Sequence, residues 1–331
     1  MEKVLITGGA GFIGSHLCEA LLATGREVFV LDDLSTGSLA NIHHLQSHPH
    51  FHFVKGSILN ADAVGEMVRA VDFIYHLAAA VGVDLVVRSP VKTIESNVWG
   101  SENVLAAASD HGVGVLLTST SEVYGKSNKA MFHEDDDLLI GPSTQGRWSY
   151  ACSKLLDEFM AIAYWREKKL PVIIVRLFNT VGPRQTGRYG MVLPRFVEQA
   201  LHAEPLTIYG DGQQSRCFCH VNDVIRALTE LPNQSRAVGQ IYNVGGTEEI
   251  TMVELAQRVK QFAESRSELR FVPYDQAYAK GFEDMRRRKP NTDKIRQLLG
   301  WQPTYALNDI IRSTVKYHRG NHPQSGQRSI G

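Results

Sequence analysis

Cysteine is scarce in this chain. Cys18, Cys152, Cys217 and Cys219 are the four thiols of 331 residues, too few and too scattered for the disulfide framework of a small secreted fold. No secretory signal precedes the first strand-like run, so a reducing cytoplasm is the expected compartment. No apolar run is long enough to span a bilayer, and no membrane association is expected. An excess of one charge is also missing: thirty-five basic residues balance thirty-five acidic ones. The whole-chain field therefore attracts neither nucleic acid nor an anionic membrane, and an anionic ligand must be held by local charge. Metal-ligand spacing is lacking as well. Read as a strand, Cys217-Phe218-Cys219-His220 puts both thiols on one face and His220 on the other, with no second cluster to complete a site. Glu134 to Asp137 reads as a solvated acidic loop without ordered ligand spacing. No metal is expected.

What the chain does have is a core and a rhythm. It is 43% hydrophobic and 21% charged, enough to bury a large core and to divide into two lobes. Strand-like runs at Lys3 to Thr7, Glu27 to Leu31, Phe51 to Val54, Phe73 to Leu77, Val113 to Thr118 and Val172 to Arg176 alternate with amphipathic helical stretches. That alternation predicts an α/β fold with a doubly wound, Rossmann-type parallel sheet over residues 1–178. After Phe178 the elements shorten, and residues 179–319 are expected to form a smaller C-terminal α/β substrate lobe, interleaved with a return segment near 220–246. From Gly320 to Gly331 the Gly, Ser, Pro, Gln and Arg content predicts a disordered tail.

Two motifs carry chemistry. Thr7-Gly8-Gly9-Ala10-Gly11-Phe12-Ile13-Gly14 follows a strand and opens a helix, so its backbone can approach a pyrophosphate at the positive end of that helix. Asp32 closes the second strand eighteen positions beyond Gly14. A carboxylate there can accept both hydroxyls of an adenosine ribose and repels a 2′-phosphate, which favours NAD over NADP. The other reading is that Asp32 or Asp33 starts the Ser35-Thr36-Gly37 turn. Far downstream, Tyr150 and Lys154 stand four apart and share one helical face, where the ammonium can lower the pKa of the phenol. A phenolate so tuned can take a hydroxyl proton while a hydride leaves the same carbon.

With these motifs the chain resembles, from about Lys3 to Tyr317, the extended short-chain dehydrogenase/reductase family of nucleotide-sugar epimerases, dehydratases and decarboxylases. The resemblance implies that Tyr150 and Lys154 act on the sugar C4 hydroxyl, with Thr120 hydrogen-bonded to the same oxygen. It implies that His76-Leu77-Ala78-Ala79 packs along the dinucleotide and that Asn97 is an active-site asparagine. The turn Phe178 to Arg184 is similar to a diphosphate-binding turn, with Asn179 and Arg184 on the substrate, and Arg216 falls where the family places an arginine on the nucleotide diphosphate. One departure stands out: Gly56-Ser57-Ile58 replaces the Gly-Asp of many relatives, so weaker adenine recognition through Ser57 and Ile58 is expected. Many relatives are dimers paired through two helices, here the stretches 97–110 and 149–167, and a homodimer is expected.

Within the family, Thr120-Ser121-Glu122 resembles the order seen in UDP-glucuronate decarboxylases, including the decarboxylase domain of the aminoarabinose pathway. Arg288-Lys289-Pro290 and the Phe132, Glu134 and Arg147-Trp148 neighbourhoods agree with it. A UDP-glucuronate decarboxylase giving UDP-xylose or its 4-keto form is the expected activity, with Glu122 orienting the ring and a water, and Arg216 and Arg288 on the diphosphate. The segment Ala79 to Val83 departs from the decarboxylase pattern. A UDP-glucose or UDP-glucuronate 4-epimerase, a 4,6-dehydratase lacking a separate acid at Ser121, and a non-catalytic NAD-binding scaffold are the alternatives; retention of Thr120, Tyr150 and Lys154 speaks against the last.

Overall fold

Val4, Leu5 and Ile6 of β1 (Lys3–Thr7) are fully buried, the uninterrupted apolar run of a strand covered by helices on both faces. The computed structural model describes residues 1–82, 89–187, 190–277 and 285–321. Among the described residues, β1 joins β2 (Glu27–Asp32), β3 (Phe51–Lys55), β4 (Phe73–His76), β5 (Gly114–Thr120), β6 (Val172–Leu177) and β11 (Gln240–Val244) in one parallel sheet. Its order, β3-β2-β1-β4-β5-β6-β11, reverses between β1 and β4. At such a switch point a crevice opens beyond the carboxyl ends of the strands. In register, Ile6 lies between Val30 and Tyr75.

One face of the sheet is covered by α1 (Phe12–Ala23) and α6 (Val221–Glu230), which bury Leu17, Leu21, Val224 and Leu228. The other carries α2 (Ala61–Val68), α3 (Pro90–His111) and α4 (Trp148–Lys168), with Val64, Val104, Leu105 and Ala161 inside. Pro90 suits the first turn of α3, where its missing N–H has no partner to lose. No described helix is long and apolar enough to cross a membrane.

The second core lies among α5 (Val192–Leu201), α7 (Met252–Ala263) and α10 (Leu307–Asn321), where Leu193, Phe196, Leu255, Val259 and Ile311 pack together. A capping box between Thr251 and Glu254 opens α7. Short strand pairs complete this lobe: β7 (Thr180–Val181) with β10 (Cys219–His220), β8 (Leu206–Tyr209) with β13 (Leu269–Val272), and β9 (Ser215–Cys217) with β12 (Glu249–Thr251). The helical turn α8 (Tyr274–Ala277) and α9 (Asp293–Leu299) lie between β13 and α10.

Three local expectations change. Cys217 and Cys219 do not share one strand: the chain breaks at Phe218 into β9 and β10, which pair with different partners, and both thiols are buried. Glu134 is not a solvated acid but a buried one, accepting the Asn243 N–H at 2.8 Å. At the C-terminus, Gly320 and Asn321 still belong to α10; the rest of the expected tail, residues 322–331, lies outside the described residues, as does Val83 of the segment that departs from the decarboxylase pattern.

A buried ion pair joins the sheet to the helix that carries Tyr150. Arg176 on β6 donates from Nε (3.0 Å) and Nη2 (2.8 Å) to the Glu158 carboxylate on α4, while Nη1 reaches the Tyr124 hydroxyl (2.9 Å) and the Glu134 carbonyl (3.0 Å). Ser119 donates to the same carboxylate at 2.5 Å. Arg176→Met, which strands a buried carboxylate, should lower the unfolding free energy by about 3–5 kcal/mol. The double variant Arg176→Met/Glu158→Leu should recover much of that loss, as denaturant melts of the three proteins will show.

Candidate active site

The crevice holds a cavity of about 740 Å³ that runs from Gly8 and Asp32, past Thr120 and Tyr150, to Arg216 and Tyr209 in the second lobe. Its cofactor end is shaped by glycine. Gly8 has φ +76°, and a Cβ there would lie 2.8 Å from the Ala78 nitrogen; a Cβ on Gly14 would lie 2.2 Å from the Gly8 carbonyl oxygen. No side chain can take either place, so the turn lies close against the Leu77–Ala78 backbone that follows β4. Gly11 precedes α1 without a side-chain cap, and the first turn of α1 holds no acid. Its N–H groups are therefore available to an anion. Phe12, Ile13, Ser57, Ile58, Leu77, Ala78 and Ala79 line the same end.

Asp32 fits both sequence readings at once. Its Oδ2 accepts from Ala10 N–H at 2.9 Å and its Oδ1 from Leu34 N–H at 2.8 Å, which starts the turn and aims the carboxylate into the cavity. Burial pushes its pKa up, against those two hydrogen bonds. Each oxygen has a lone pair left for a ribose hydroxyl. Ser57 Oγ accepts from Leu59 N–H at 3.2 Å and keeps its own proton to donate. A cradle of glycine backbone, an uncapped helix start and a carboxylate at the end of β2 suits an adenine dinucleotide.

Asn97 and Arg184 are placed differently from expectation. Asn97 is not on the cavity wall: its Oδ1 accepts from Ala80 N–H (2.8 Å) and its Nδ2 donates to Ser153 Oγ (3.0 Å), so it fastens the 78–82 loop to α3 and α4. Arg184 borders the cavity, but its guanidinium is committed to Ser15 Oγ and the Glu19 carboxylate on α1. Asn179 does line the cavity, and its Nδ2 donates to the Cys217 carbonyl at 2.9 Å. Arg216 is 4% exposed, lines the cavity and donates to the Ser215 carbonyl at 2.7 Å.

The chemical centre gathers on α4 and the turn after β5. Tyr150 and Thr120 are hydrogen-bonded through their hydroxyls, and Thr120 Oγ1 accepts from Glu122 N–H at 3.2 Å. Glu122 lies between two arginines: Arg288 Nη1 donates to Oε1 at 2.5 Å and Arg147 Nη2 to Oε2 at 3.2 Å. Arg288 thus meets a carboxylate next to Tyr150, whereas the sequence placed it on the diphosphate. Arg147 was missed as a site residue. The signal was there, since it stands three residues before Tyr150 on the same turn.

Electrostatics revise the expected tuning of the phenol. Burial is the largest influence on Tyr150 and pushes its pKa well above the ordinary value; the Glu122 charge adds to this, the Thr120 hydrogen bond opposes it, and Asp157 raises it further. The Lys154 ammonium, expected to pull the phenol down, is paired with Asp157 at 2.7 Å. Burial also acts to raise Glu122, but the charges of Arg288, Arg147 and Arg216 override it and hold the carboxyl at about 2. A carboxyl with a depressed folded pKa stabilises the fold above its unfolded value near 4.5. That contribution is lost as the pH falls towards 2. Glu122→Gln should therefore be less stable than the native chain at neutral pH by roughly 3 kcal/mol. The gap should close as melts are repeated from pH 5 down to pH 2.

Known proteins resemble this chain over nearly its whole length. A family profile described as GDP-mannose 4,6 dehydratase matches residues 5–314. The chain is 38% identical to a UDP-N-acetyl-α-D-glucosaminuronate decarboxylase of Bacillus cytotoxicus, over 96% of this chain and 98% of that protein. It is 37% identical to UDP-glucuronic acid decarboxylase 1 of Danio rerio, over 96% of this chain and 72% of that one. Its fold superposes with a TM-score of 0.87 on the UDP-glucuronic acid 4-epimerase of Bacillus cereus solved with UDP-glucuronic acid and NAD, at 28% identity, over 97% of this chain and 100% of that one. With the glycine cradle, the Tyr150–Thr120 pair and a match over nearly its whole length, the chain belongs to the GDP-mannose 4,6 dehydratase family, among the extended short-chain dehydrogenases/reductases that modify nucleotide sugars.

Proposed function

We propose that this chain is an NAD-dependent decarboxylase of a UDP-linked hexuronate, with UDP-glucuronate as substrate and UDP-xylose or its 4-keto form as product. The observation that carries this reading is the pair of guanidinium groups, Arg147 and Arg288, beside Tyr150 and Thr120. A neutral hexose gives two cations at the sugar nothing to bind; a C6 carboxylate does. The relatives named as decarboxylases support the same reaction.

Gly8, Gly11, Gly14 and Asp32 hold NAD, which when bound takes up the C4 hydride and can return it. Tyr150 removes the proton of the C4 hydroxyl, and the Thr120 hydroxyl holds that oxygen. The C6 carboxylate then lies β to a ketone and leaves as carbon dioxide, its bonding electrons passing to C5 and the C4 oxygen. Thr120 and the protonated Tyr150 stabilise the resulting enolate. Before substrate binds, the charges of Arg288, Arg147 and Arg216 hold Glu122 as a carboxylate, and it is assigned no proton to give. It positions Arg147, Arg288 and the water that protonates C5. At the far end, Arg216 and Asn179 hold the diphosphate, and Arg184 keeps its turn against α1.

A second substrate has an observation in its favour: the Bacillus cytotoxicus relative is named for the N-acetylated uronate. The reaction at C4, C5 and C6 is the same. Incubation of the purified protein with NAD and UDP-glucuronate should give a product lighter by carbon dioxide. Unchanged mass, with a new peak on chromatography, would replace the decarboxylase by a 4-epimerase; turnover of the N-acetylated uronate alone would transfer the reading to that substrate. Arg288→Met should lower kcat/KM for the uronate about 10²-fold, roughly 3 kcal/mol.

A homodimer in the cytoplasm belongs to the same proposal. All four cysteines are free, in keeping with a reducing compartment. Val91, Ile94 and Trp99 on α3 and Leu156 and Phe159 on α4 are exposed, with Trp99 at 61% and Phe159 at 66%. Exposed apolar side chains on two packed helices suit a second copy presenting the same helices. Trp99→Glu combined with Phe159→Glu should convert the dimer to a folded monomer in sedimentation velocity.

A further inference from the structure

Asp157 is a buried carboxylate that the proposed reaction does not use. It lies on α4 three residues beyond Lys154, its side chain wholly enclosed, and its Oδ2 accepts from Lys154 Nζ at 2.7 Å. Lys154 is itself only 3% exposed at the side chain. Two neutral groups flank the pair. On α3, Ser101 stands beside Asp157 and meets His76 Nε2 at 3.0 Å; on β4, His76 is met at Nδ1 by Thr7 Oγ1 at 2.7 Å. Burial, with Lys154 adding to it, holds the imidazole pKa at about 3, so His76 brings no charge at neutral pH.

The other carboxylates near Tyr150 are each tied to arginine. Glu122, from the turn after β5, is tied to Arg147 and Arg288, with Arg216 behind them. Glu158, next to Asp157 on α4, is tied to Arg176 of β6. Among the described residues, the ion-pair partner of the Lys154 ammonium is Asp157.

We propose that Asp157 is a positioning residue that acts through Lys154: by balancing the ammonium it sets the pH at which the Tyr150 phenol becomes a base. The inference rests on the reading of Tyr150 as the base of the proposed reaction. A carboxylate opposite a buried lysine cancels the charge that would otherwise stabilise a neighbouring phenolate, so removing it strengthens the acid.

Asp157→Asn keeps an acceptor for Lys154 and deletes the charge. In NAD-loaded protein, the phenolate absorbance of Tyr150, taken as the difference from the Tyr150→Phe protein in the same background, should appear about one pH unit lower than in the native chain. The acidic limb of the kcat/KM profile should move down by the same amount, and Asp157→Glu should restore both midpoints. A merely structural role lowers the melting temperature and leaves both where they were, which overturns the proposal, as does an upward shift. If Asp157→Asn does not fold, Asp157→Ser, which admits water beside the ammonium, carries the same expectation. Failure to turn over UDP-glucuronate would sink the proposed reaction and leave the phenolate titration to decide on Asp157.

Discussion

The Arg176–Glu158 pair is the contact on which the geometry of the site depends. Its partners come from β5 (Ser119), the turn after β5 (Tyr124), α4 (Glu158) and the loop at Glu134, with Asn243 of β11 joined through the Tyr124 hydroxyl at 2.8 Å. The elements that carry the candidate catalytic side chains are therefore fixed to one guanidinium: α4 with Tyr150 and Lys154, β5 with Thr120, and the turn after it with Glu122. Inside a protein such a network is rigid when fully satisfied and costly when broken.

A second principle is charge compensation. A neutral chain gathers Glu122, Arg147, Arg288, Lys154 and Asp157 near one phenol, and each of the two carboxylates is paired with a cation. In this state Tyr150 is a weak acid, because burial dominates and both nearby carboxylates act in the same direction. A substrate bearing its own carboxylate changes that balance by competing with Glu122 for the two arginines. On the proposed function, selection for a uronate follows from the same contacts.

Local patterns in the sequence carry the fold and the cofactor end. The apolar run Val4 to Ile6, the spacing of Gly8, Gly11 and Gly14, and the carboxylate closing β2 are short-range features whose meaning depends on backbone geometry alone. The strands of the sheet lie within a residue or two of their expected ends. What could not be read are contacts between distant residues. Glu122 and Arg288 are 166 positions apart, and Arg184 is 165 from Glu19; no periodicity relates them. The same holds for the buried Glu134, whose partner Asn243 is on the last strand of the sheet. The lowered phenol pKa expected from the Tyr150–Lys154 spacing failed for a different reason: the i, i+4 rule brings the pair to one face but is silent about Asp157 on that face and about burial.

The central claim is that Arg147 and Arg288 read a sugar carboxylate. It is tested most directly by calorimetry of UDP-glucuronate and UDP-glucose binding to NAD-loaded Tyr150→Phe protein, which cannot turn either over. The account predicts that the uronate binds at least about tenfold more tightly, a difference of roughly 1.4 kcal/mol, and that Arg288→Met in the same background removes most of the preference. Equal affinity for the two sugars would contradict it.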